Sequence, residues 1–281
     1  MRWLVAGANG MLGQDLTSLL SGRGDHVTAV DRDSVDITDL AATSDAVAGH
    51  SVVVNCAAYT AVDAAEADEE EAFAVNAVGS ANLARAANAA GARLVQISTD
   101  YVFDGDARDP YPEDAPVAPR SAYGRTKAAG EWAVRAECDD HLVVRTAWLY
   151  GARGRCFPKT IARLAEQRGT VDVIDDQVGQ PTWTVDLAEL VVRLVDAEAP
   201  AGIYHGTSAG KASWYDFARA VVSALGLDPA TVRPTTSAAF AAQAHRPTYS
   251  VLGHEALRAA GVEPIGDWEA CWARAASSVL A

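Results

Sequence analysis

Short apolar runs alternate with amphipathic segments along the first half of the chain. The apolar runs have the length of buried strands, and they lie at residues 2–8, 26–30, 51–58, 92–98 and 141–150. The segments between them are rich in alanine, leucine, glutamate and arginine and follow the period of a helix, most clearly at residues 69–90 and 123–137. Apolar strands that alternate with helices are typical of a parallel sheet covered on both faces. The pattern therefore predicts an α/β fold with a doubly wound parallel sheet.

The pattern becomes less regular after Gly151. It predicts a helix that begins with Thr184 as its N-cap, a short strand at residues 202–205 and a further helix from Ser213. We therefore expect residues 1–150 to form the sheet domain and residues 151–281 to form mainly a smaller C-terminal substrate-binding lobe. A segment around residues 171–200 is expected to return to the main sheet.

The composition is that of a globular protein with a sizeable core. The chain has 281 residues, of which 49% are hydrophobic, and a formal net charge of −14. A protein this acidic is repelled by phosphate polymers and by anionic lipid, and no basic run offsets the charge. Nucleic acids and membrane surfaces are therefore not expected as partners.

The cysteines and the first residues favour a cytoplasmic protein. Cys56, Cys138, Cys156 and Cys271 are far apart in the sequence and form no CxxC pair, so neither a zinc site nor a disulfide framework is indicated. No cluster of His, Asp and Glu has the spacing of metal ligands. The first apolar run is too short for a signal peptide, and no run is long enough for a membrane helix.

Three glycines follow the first predicted strand, in the sequence GANGMLG. Glycine at this point allows a sharp turn and lets a pyrophosphate reach the N–H groups at the start of the next helix. The position between a strand and a helix favours a dinucleotide-binding loop of the Rossmann type over a tight turn that binds nothing. The cofactor-binding residues expected here are Gly7, Asn9, Gly10, Met11, Leu12 and Gly13.

The end of the second strand carries two opposite signals about the cofactor. Asp31 could accept hydrogen bonds from the ribose 2′-hydroxyl of NAD, whereas Arg32 could pair with the 2′-phosphate of NADP. At this point the choice between the two cofactors stays open.

Two further segments are expected to lie along the cofactor. The first would place Asp36 and Ile37 near the adenine, and the second follows the third strand, with the small residues Ala57 and Ala58 and then Tyr59. Small residues suit the wall of a cofactor site. Packing at a buried strand end would also explain them.

A tyrosine and a lysine share one face of the helix predicted at residues 123–137. Tyr123 and Lys127 are four residues apart, so their functional ends can converge. A phenol is a poor acid near neutral pH, and a nearby cation favours its ionised form and lowers its pKa. Lysine is otherwise rare here, at Lys159 and Lys211 only. A proton donor tuned by an ammonium group is therefore expected, against the alternative of an exposed surface pair.

These motifs together resemble a known enzyme family over nearly the whole chain. The chain is similar to extended short-chain dehydrogenases/reductases and, among them, to the dTDP-4-dehydrorhamnose reductase family. The residues that carry the resemblance are the three glycines, Tyr123 with Lys127, and the segments ISTDYVF (97–103), RTAWLYG (145–151) and DQVGQPTWTVDLA (176–188).

The resemblance implies a role for each residue of the site. It implies that Thr99 hydrogen-bonds the substrate carbonyl, that Tyr123 donates the proton, and that Lys127 holds the nicotinamide ribose. It also implies that Asp100 and Trp148 touch the sugar. Thr99 lies at the carboxyl end of a predicted parallel strand, where such sheets bind ligands. The alternatives are a strand-end cap for Thr99 and ordinary core packing for Trp148.

The implied reaction is reduction of the C4 ketone of a dTDP-linked 4-keto-6-deoxyhexose. Related dehydratases carry a glutamate where this chain has Tyr101, so elimination would lack its base. The expected cofactor is NADPH, with NADH as the alternative, and the expected assembly is a monomer or homodimer. Some family members depend on magnesium, but no ligands for it can be placed here. Two rival hypotheses are a ketoreductase for another dTDP-deoxysugar and a non-catalytic subunit similar to the regulatory subunit of methionine adenosyltransferase.

Overall fold

The computed structural model describes residues 1–240 and 242–281 and contains a central sheet of six strands. The strands are β1 (Arg2–Ala6), β2 (His26–Val30), β3 (Val52–Asn55), β4 (Arg93–Thr99), β5 (His141–Thr146), β6 (Leu149–Tyr150), β7 (Val171–Ile174), β8 (Val178–Gly179), β9 (Thr182–Trp183), β10 (Gly202–His205), β11 (Ala212–Ser213) and β12 (Val232–Thr235). The central sheet has the order β10-β5-β4-β3-β1-β2, and its neighbouring strands are all parallel.

Helices connect the strands of the central sheet and continue into the second half of the chain. They are α1 (Met11–Gly22), α2 (Leu40–Val47), α3 (Glu69–Phe73), α4 (Ser80–Ala90), α5 (Ala122–Glu137), α6 (Phe157–Arg168), α7 (Thr184–Asp196), α8 (Trp214–Ala224), α9 (Glu255–Ala259) and α10 (Trp268–Leu280). A π-helical stretch, Ala74–Gly79, joins α3 to α4, so the helical segment predicted at residues 69–90 is continuous.

The two faces of the central sheet carry separate layers of core, as the strand sequences require. In β1, Trp3 and Val5 face one side while Leu4 and Ala6 face the other, because successive side chains of a strand alternate. Helices α1 and α7 cover the first face, and α2, α4 and α5 cover the second. The doubly wound parallel sheet predicted from the apolar runs is thus confirmed.

A second core, rich in aromatic rings, lies in the C-terminal half of the chain. The rings of Tyr150, Phe157, Phe217 and Trp272 form a chain of contacts with centroids 5.2 to 5.6 Å apart. Met11, at the start of α1, packs against this cluster. The second core therefore lies at the edge of the central sheet where the glycine loop is found.

The second half of the chain contributes to both parts of the molecule. Strand β10 pairs with β5 at the edge of the central sheet, and α7 packs on α1. Strand β7, which lies in the segment expected to return to the sheet, instead pairs with β12. The division near residue 150 stays a prediction.

The predicted N-cap of α7 is wrong by one residue. Trp183 is the N-cap, and Thr184 is the first helical residue. Its hydroxyl donates to the Asp15 carboxylate at 2.5 Å and so ties α7 to α1. Among the residues that the structure describes, no helix is both long and apolar enough to cross a membrane.

Candidate active site

The glycine loop between β1 and α1 is packed too closely for side chains. Gly7 has a φ of +75°, and a Cβ there would lie 2.5 Å from the backbone nitrogen of Ala57. A Cβ on Gly13 would overlap the carbonyl oxygen of Gly7. Gly10 is the N-cap of α1, and no side chain caps that helix within the described residues. The loop thus offers bare backbone and the positive end of a helix, which fits the pyrophosphate of a dinucleotide.

The other residues predicted for this loop have different surroundings. The side chain of Leu12 is buried in the core that α1 and α7 cover. Only its backbone, in the first turn of α1, could therefore meet a cofactor. Met11 is half-buried beside Gly154. The Asn9 side chain is exposed and donates a hydrogen bond to the Asp31 carboxylate.

The two candidate determinants of cofactor choice after β2 are not equivalent. The Asp31 carboxylate accepts hydrogen bonds from Asn9 and from the backbone N–H of Asp33, the latter at 3.0 Å. Arg32 is exposed, and within the described part of the chain its guanidinium forms no ion pair. The acidic group is therefore already engaged, whereas the basic group is free to meet an anion.

The residues expected along the adenine are anchored to the protein. The Asp36 carboxylate accepts from the hydroxyl and N–H of Thr38 at 2.7 and 2.9 Å, and these hydrogen bonds hold its pKa below the usual range. The side chain of Ile37 is buried and lies against Gly79, where a Cβ would come within 2.6 Å of it. Packing thus explains Ile37 without a ligand, and its contact with adenine stays a prediction.

The segment after β3 lies beside the glycine loop. Ala57 approaches Gly7, and Ala57, Ala58 and Tyr59 are all half-buried. The backbone N–H of Tyr59 donates to the Asn76 side chain at 2.9 Å. The structure therefore brings the segment after β3, which is predicted to line the cofactor, next to the glycine loop.

Thr99 and Asp100 are buried at the carboxyl end of β4. The Thr99 hydroxyl donates to the Asp100 carboxylate at 2.9 Å and accepts from the N–H of Tyr101 at 3.2 Å. Burial raises the pKa of Asp100 to about 6, although hydrogen bonds from Ser250 and Thr99 oppose this rise. The alternative of a strand-end cap is thus observed for Thr99, because its hydroxyl caps the turn that follows β4.

Tyr123 and Lys127 lie on one continuous helix, α5, which begins after Ser121. The rings of Tyr101 and Tyr123 form a T-shaped contact, with centroids 5.6 Å apart and planes at 73°. Lys127 is only 4% exposed, and its ammonium donates to the carbonyl of Ile97 on β4 at 2.7 Å. The alternative of an exposed surface pair is excluded by this burial.

The expected lowering of the Tyr123 pKa by Lys127 is wrong. Burial raises the pKa of Tyr123 to about 12, a rise that the Thr99 hydroxyl opposes and the Asp100 carboxylate increases. Burial also lowers the pKa of Lys127 to about 8, against the effect of the Glu131 carboxylate. Desolvation therefore sets the direction of the Tyr123 pKa, and Lys127 is not among the groups that shift it.

Trp148 has an unusual backbone and a stacked side chain. Its φ is +47°, a conformation that costs energy for a bulky residue. Its indole stacks on that of Trp214 with centroids 3.5 Å apart, and a Cβ on Gly179 would lie 2.6 Å from it. Both indoles line a cavity of about 320 Å³. Trp148 is thus half-buried at the wall of a cavity, rather than wholly enclosed in the core.

Sequence reasoning missed several residues of this cavity. Tyr101, Phe157, Trp214 and Arg246 line it beside Trp148. In the sequence, Tyr101 indicates only the type of reaction, and Trp214 indicates only part of a helix. Arg246 lies in a stretch without periodicity or motif, so no local signal could have marked it.

The acidic and sulfur side chains do not gather into a metal site. Within residues 1–240 and 242–281, no group of three or more His, Cys, Asp or Glu side chains could hold an ion. The four cysteines are free thiols, and three of them are buried.

Comparison with known proteins agrees with this geometry. The family model described as the RmlD substrate binding domain matches residues 1–280. A dTDP-4-dehydrorhamnose reductase of Streptomyces griseus is 54% identical over 276 residues, which cover 96% of this chain and 91% of that protein. A dTDP-4-keto-6-deoxy-D-glucose reductase of Streptomyces niveus is 52% identical over 270 residues, with 95% and 93% coverage.

A solved structure extends the likeness to three dimensions. The dTDP-4-dehydrorhamnose reductase of Bacillus anthracis, crystallised in complex with NADP, superposes with a TM-score of 0.93 at 36% sequence identity and covers 97% of both chains. The chain therefore belongs to the dTDP-4-dehydrorhamnose reductase family of extended short-chain dehydrogenases/reductases, as its motifs predict.

Proposed function

We propose that the protein reduces the C4 ketone of a dTDP-linked 4-keto-6-deoxyhexose, most directly dTDP-4-dehydro-L-rhamnose to dTDP-L-rhamnose. The observation that carries this proposal is the meeting of α5 with the carboxyl end of β4. Lys127 donates to the carbonyl of Ile97, two residues before Thr99, and Tyr123 contacts Tyr101, which lines the cavity. Relatives at 54% and 52% identity are reductases of dTDP-linked keto sugars.

NADPH is the cofactor that we propose. The Bacillus anthracis relative is solved with NADP, and the free guanidinium of Arg32 suits a 2′-phosphate better than the engaged carboxylate of Asp31 suits a 2′-hydroxyl. When bound, the nicotinamide supplies the hydride. The residues that would hold the cofactor are those of the glycine loop, Arg32 and Lys127.

The proton comes from Tyr123 in this proposal. With a pKa of about 12, its phenol is protonated near pH 7 and can donate to the alkoxide that forms at C4. The Thr99 hydroxyl, now directed at Asp100, would turn to the substrate carbonyl and help to orient it. One carbonyl thus gains a hydride at carbon and a proton at oxygen.

The Lys127 ammonium has N–H donors left over that could bind the ribose. Its ammonium carries three N–H groups, and the carbonyl of Ile97 accepts one of them. The remaining two could donate to the ribose hydroxyls of the nicotinamide nucleotide. The Ile97 carbonyl therefore sets the position of the ammonium, which in turn would set that of the nicotinamide.

A second candidate substrate follows from the Streptomyces niveus relative, whose name gives dTDP-4-keto-6-deoxy-D-glucose. The same catalytic residues would reduce either sugar, so orientation in the cavity decides between them. A cytoplasmic location and a monomeric or dimeric state remain predictions from the sequence.

The test is an assay of reduced-nicotinamide absorbance with each cofactor and each of the two keto sugars, followed by NMR of the product. We expect oxidation of NADPH with dTDP-4-dehydro-L-rhamnose, and loss of that turnover in the Tyr123→Phe variant with NADPH binding retained. Absence of oxidation with either cofactor and either sugar would overturn the proposal.

A further inference from the structure

One cationic side chain lines the cavity near the candidate catalytic residues. Among the described residues that line it, Arg246 is the sole cation and Asp172 the sole acidic residue, and the others are mostly aromatic or aliphatic with a few uncharged polar side chains. The chain as a whole carries a net charge of −14. A sugar nucleotide brings a diphosphate into this acidic protein, so a cation in the cavity is where that charge would be neutralised.

The guanidinium of Arg246 is paired with a carboxylate. Its two terminal nitrogens donate to the two oxygens of Asp63, at 2.9 and 2.8 Å. This two-point geometry is the one by which arginine also binds phosphate. Asp63 follows β3 on the cofactor side of the molecule, 183 residues from Arg246 in the chain.

The ion pair is built in a way that allows exchange. The Asp63 side chain is 46% exposed, whereas that of Arg246 is 27% exposed. A pair with one solvated partner contributes little stability, because water competes for the carboxylate. A diphosphate carries more charge and more acceptor oxygens than the carboxylate, so it would compete successfully for the same guanidinium.

The position of Arg246 fits the shape of the proposed substrate. Tyr101 lies between Arg246 and Tyr123: it lines the cavity with Arg246, and its ring meets that of Tyr123 at 5.6 Å. The diphosphate of a nucleotide sugar is attached at C1, across the hexose ring from the reacting C4. A sugar with C4 at Tyr123 would therefore direct its diphosphate along Tyr101 towards Arg246.

We propose that Arg246 is the diphosphate-binding residue and that it exchanges Asp63 for the diphosphate when the sugar nucleotide binds. This inference rests on the proposed function, because it takes a dTDP-sugar as the ligand. Asp63 then acts as a competitor that occupies the guanidinium until substrate arrives.

The experiment is a titration of dTDP into the NADPH-loaded protein, with wild type, Arg246→Gln and Asp63→Asn compared. We expect Arg246→Gln to weaken dTDP binding by about 10- to 100-fold, as for hydrogen bonds to a charged group. Asp63→Asn removes the competitor and is expected to strengthen binding by about 2- to 5-fold, in line with a partly exposed pair. Thymidine, which lacks phosphates, serves as the control ligand and should bind the three proteins equally.

Changes of opposite sign in dTDP affinity, weaker in Arg246→Gln and stronger in Asp63→Asn, distinguish a diphosphate-binding role from a structural one. If the ion pair only fastened the lobe to the sheet, both substitutions would weaken dTDP binding and lower the melting temperature together, and that result would overturn the inference. Arg246→Lys, which keeps the charge but loses the two-point geometry, is expected to bind dTDP with intermediate affinity and provides the test if Arg246→Gln does not fold.

The outcomes also distinguish this inference from the function on which it rests. A wild-type protein that turns over the keto sugar and binds dTDP, with an Arg246→Gln variant that binds dTDP equally well, would overturn this inference alone. A wild-type protein that oxidises neither cofactor with either keto sugar and binds no dTDP would overturn both.

Discussion

A buried ion pair near Lys127 gives a prediction with a large expected effect. Glu131 and Arg145 have side chains that are each 2% exposed. The Glu131 carboxylate accepts from the Nε and Nη2 of Arg145 at 2.9 and 2.7 Å, and from the Ser98 hydroxyl at 2.6 Å. Arg145 also donates to the carbonyl of Glu113 and lies over the Phe103 ring. Three donors thus depend on one carboxylate.

Replacement of Glu131 by Gln would keep the shape but remove the charge. The guanidinium of Arg145 would then be buried without a counterion, and breaking such a pair from one side costs about 3 to 5 kcal/mol. For a chain of 281 residues, with roughly 2 °C of melting temperature per kcal/mol, we expect a fall of about 6 to 10 °C. Urea unfolding of the variant and of the wild type measures the loss directly.

The matched control also removes the guanidinium of Arg145, which Glu131→Gln leaves unpaired. In Glu131→Gln/Arg145→Met, the glutamine can still accept from Ser98 and the unpaired guanidinium is gone, so we expect more than half of the lost stability to return. A double variant as unstable as the single one would refute the reasoning, as would a loss below about 1 kcal/mol in Glu131→Gln, the size expected for an exposed pair.

The same substitution should also change the pH dependence of turnover. Glu131 lies one helical turn beyond Lys127, and its negative charge favours the protonated ammonium. Its removal lowers the pKa of Lys127, so the lysine loses its proton at a lower pH. We therefore expect the alkaline limb of kcat/KM to move to lower pH in Glu131→Gln, and an unmoved limb would show that Glu131 supports the fold without acting on Lys127.

Three further predictions concern other parts of the site. Gly13→Ala should weaken NADPH binding at least about 10-fold in a fluorescence titration, because the new methyl overlaps the loop backbone, whereas Gly22→Ala, at an open position at the end of the same helix, should leave binding unchanged. Wild-type kcat/KM should fall as the pH rises through about 8, where Lys127 loses its proton, and Lys127→Met should lose most activity together with that limb. Trp214→Ala should raise the KM for the keto sugar about 3- to 10-fold without changing that for NADPH, because Trp148 loses its stacking partner.

Local sequence patterns were sufficient for the sheet and for the glycine loop. The strand assignments depend on short apolar runs, such as residues 52–54 within the segment 51–58, and a fully buried strand of a parallel sheet needs no alternating pattern. Gly7, Gly10 and Gly13 could be assigned because the geometry that they permit is a property of neighbouring residues. The turn itself lies within one βα unit, although Gly7 also packs against Ala57, which follows β3.

The rest of the site depends on contacts between distant residues. Arg246 and Asp63 are 183 positions apart, and Trp148 and Trp214 meet across two separate elements. Nothing in the residues flanking Arg246 distinguishes it from the other arginines of the chain. The cavity and its charge could therefore be recognised only once the chain was folded.

The raised pKa of Tyr123 fits what a proton donor in a reductase must do. A reductase needs Tyr123 to keep its proton until the alkoxide forms and to release it afterwards. Burial meets the first need, because it raises the pKa of the phenol to about 12, and the Thr99 hydroxyl assists the second, because it favours the phenolate. Lys127 meanwhile donates to the Ile97 carbonyl at 2.7 Å, which fixes its place beside the strand end. In the proposed mechanism the lysine therefore contributes first by holding the ribose, and its charge becomes important to the phenolate only after the proton has left.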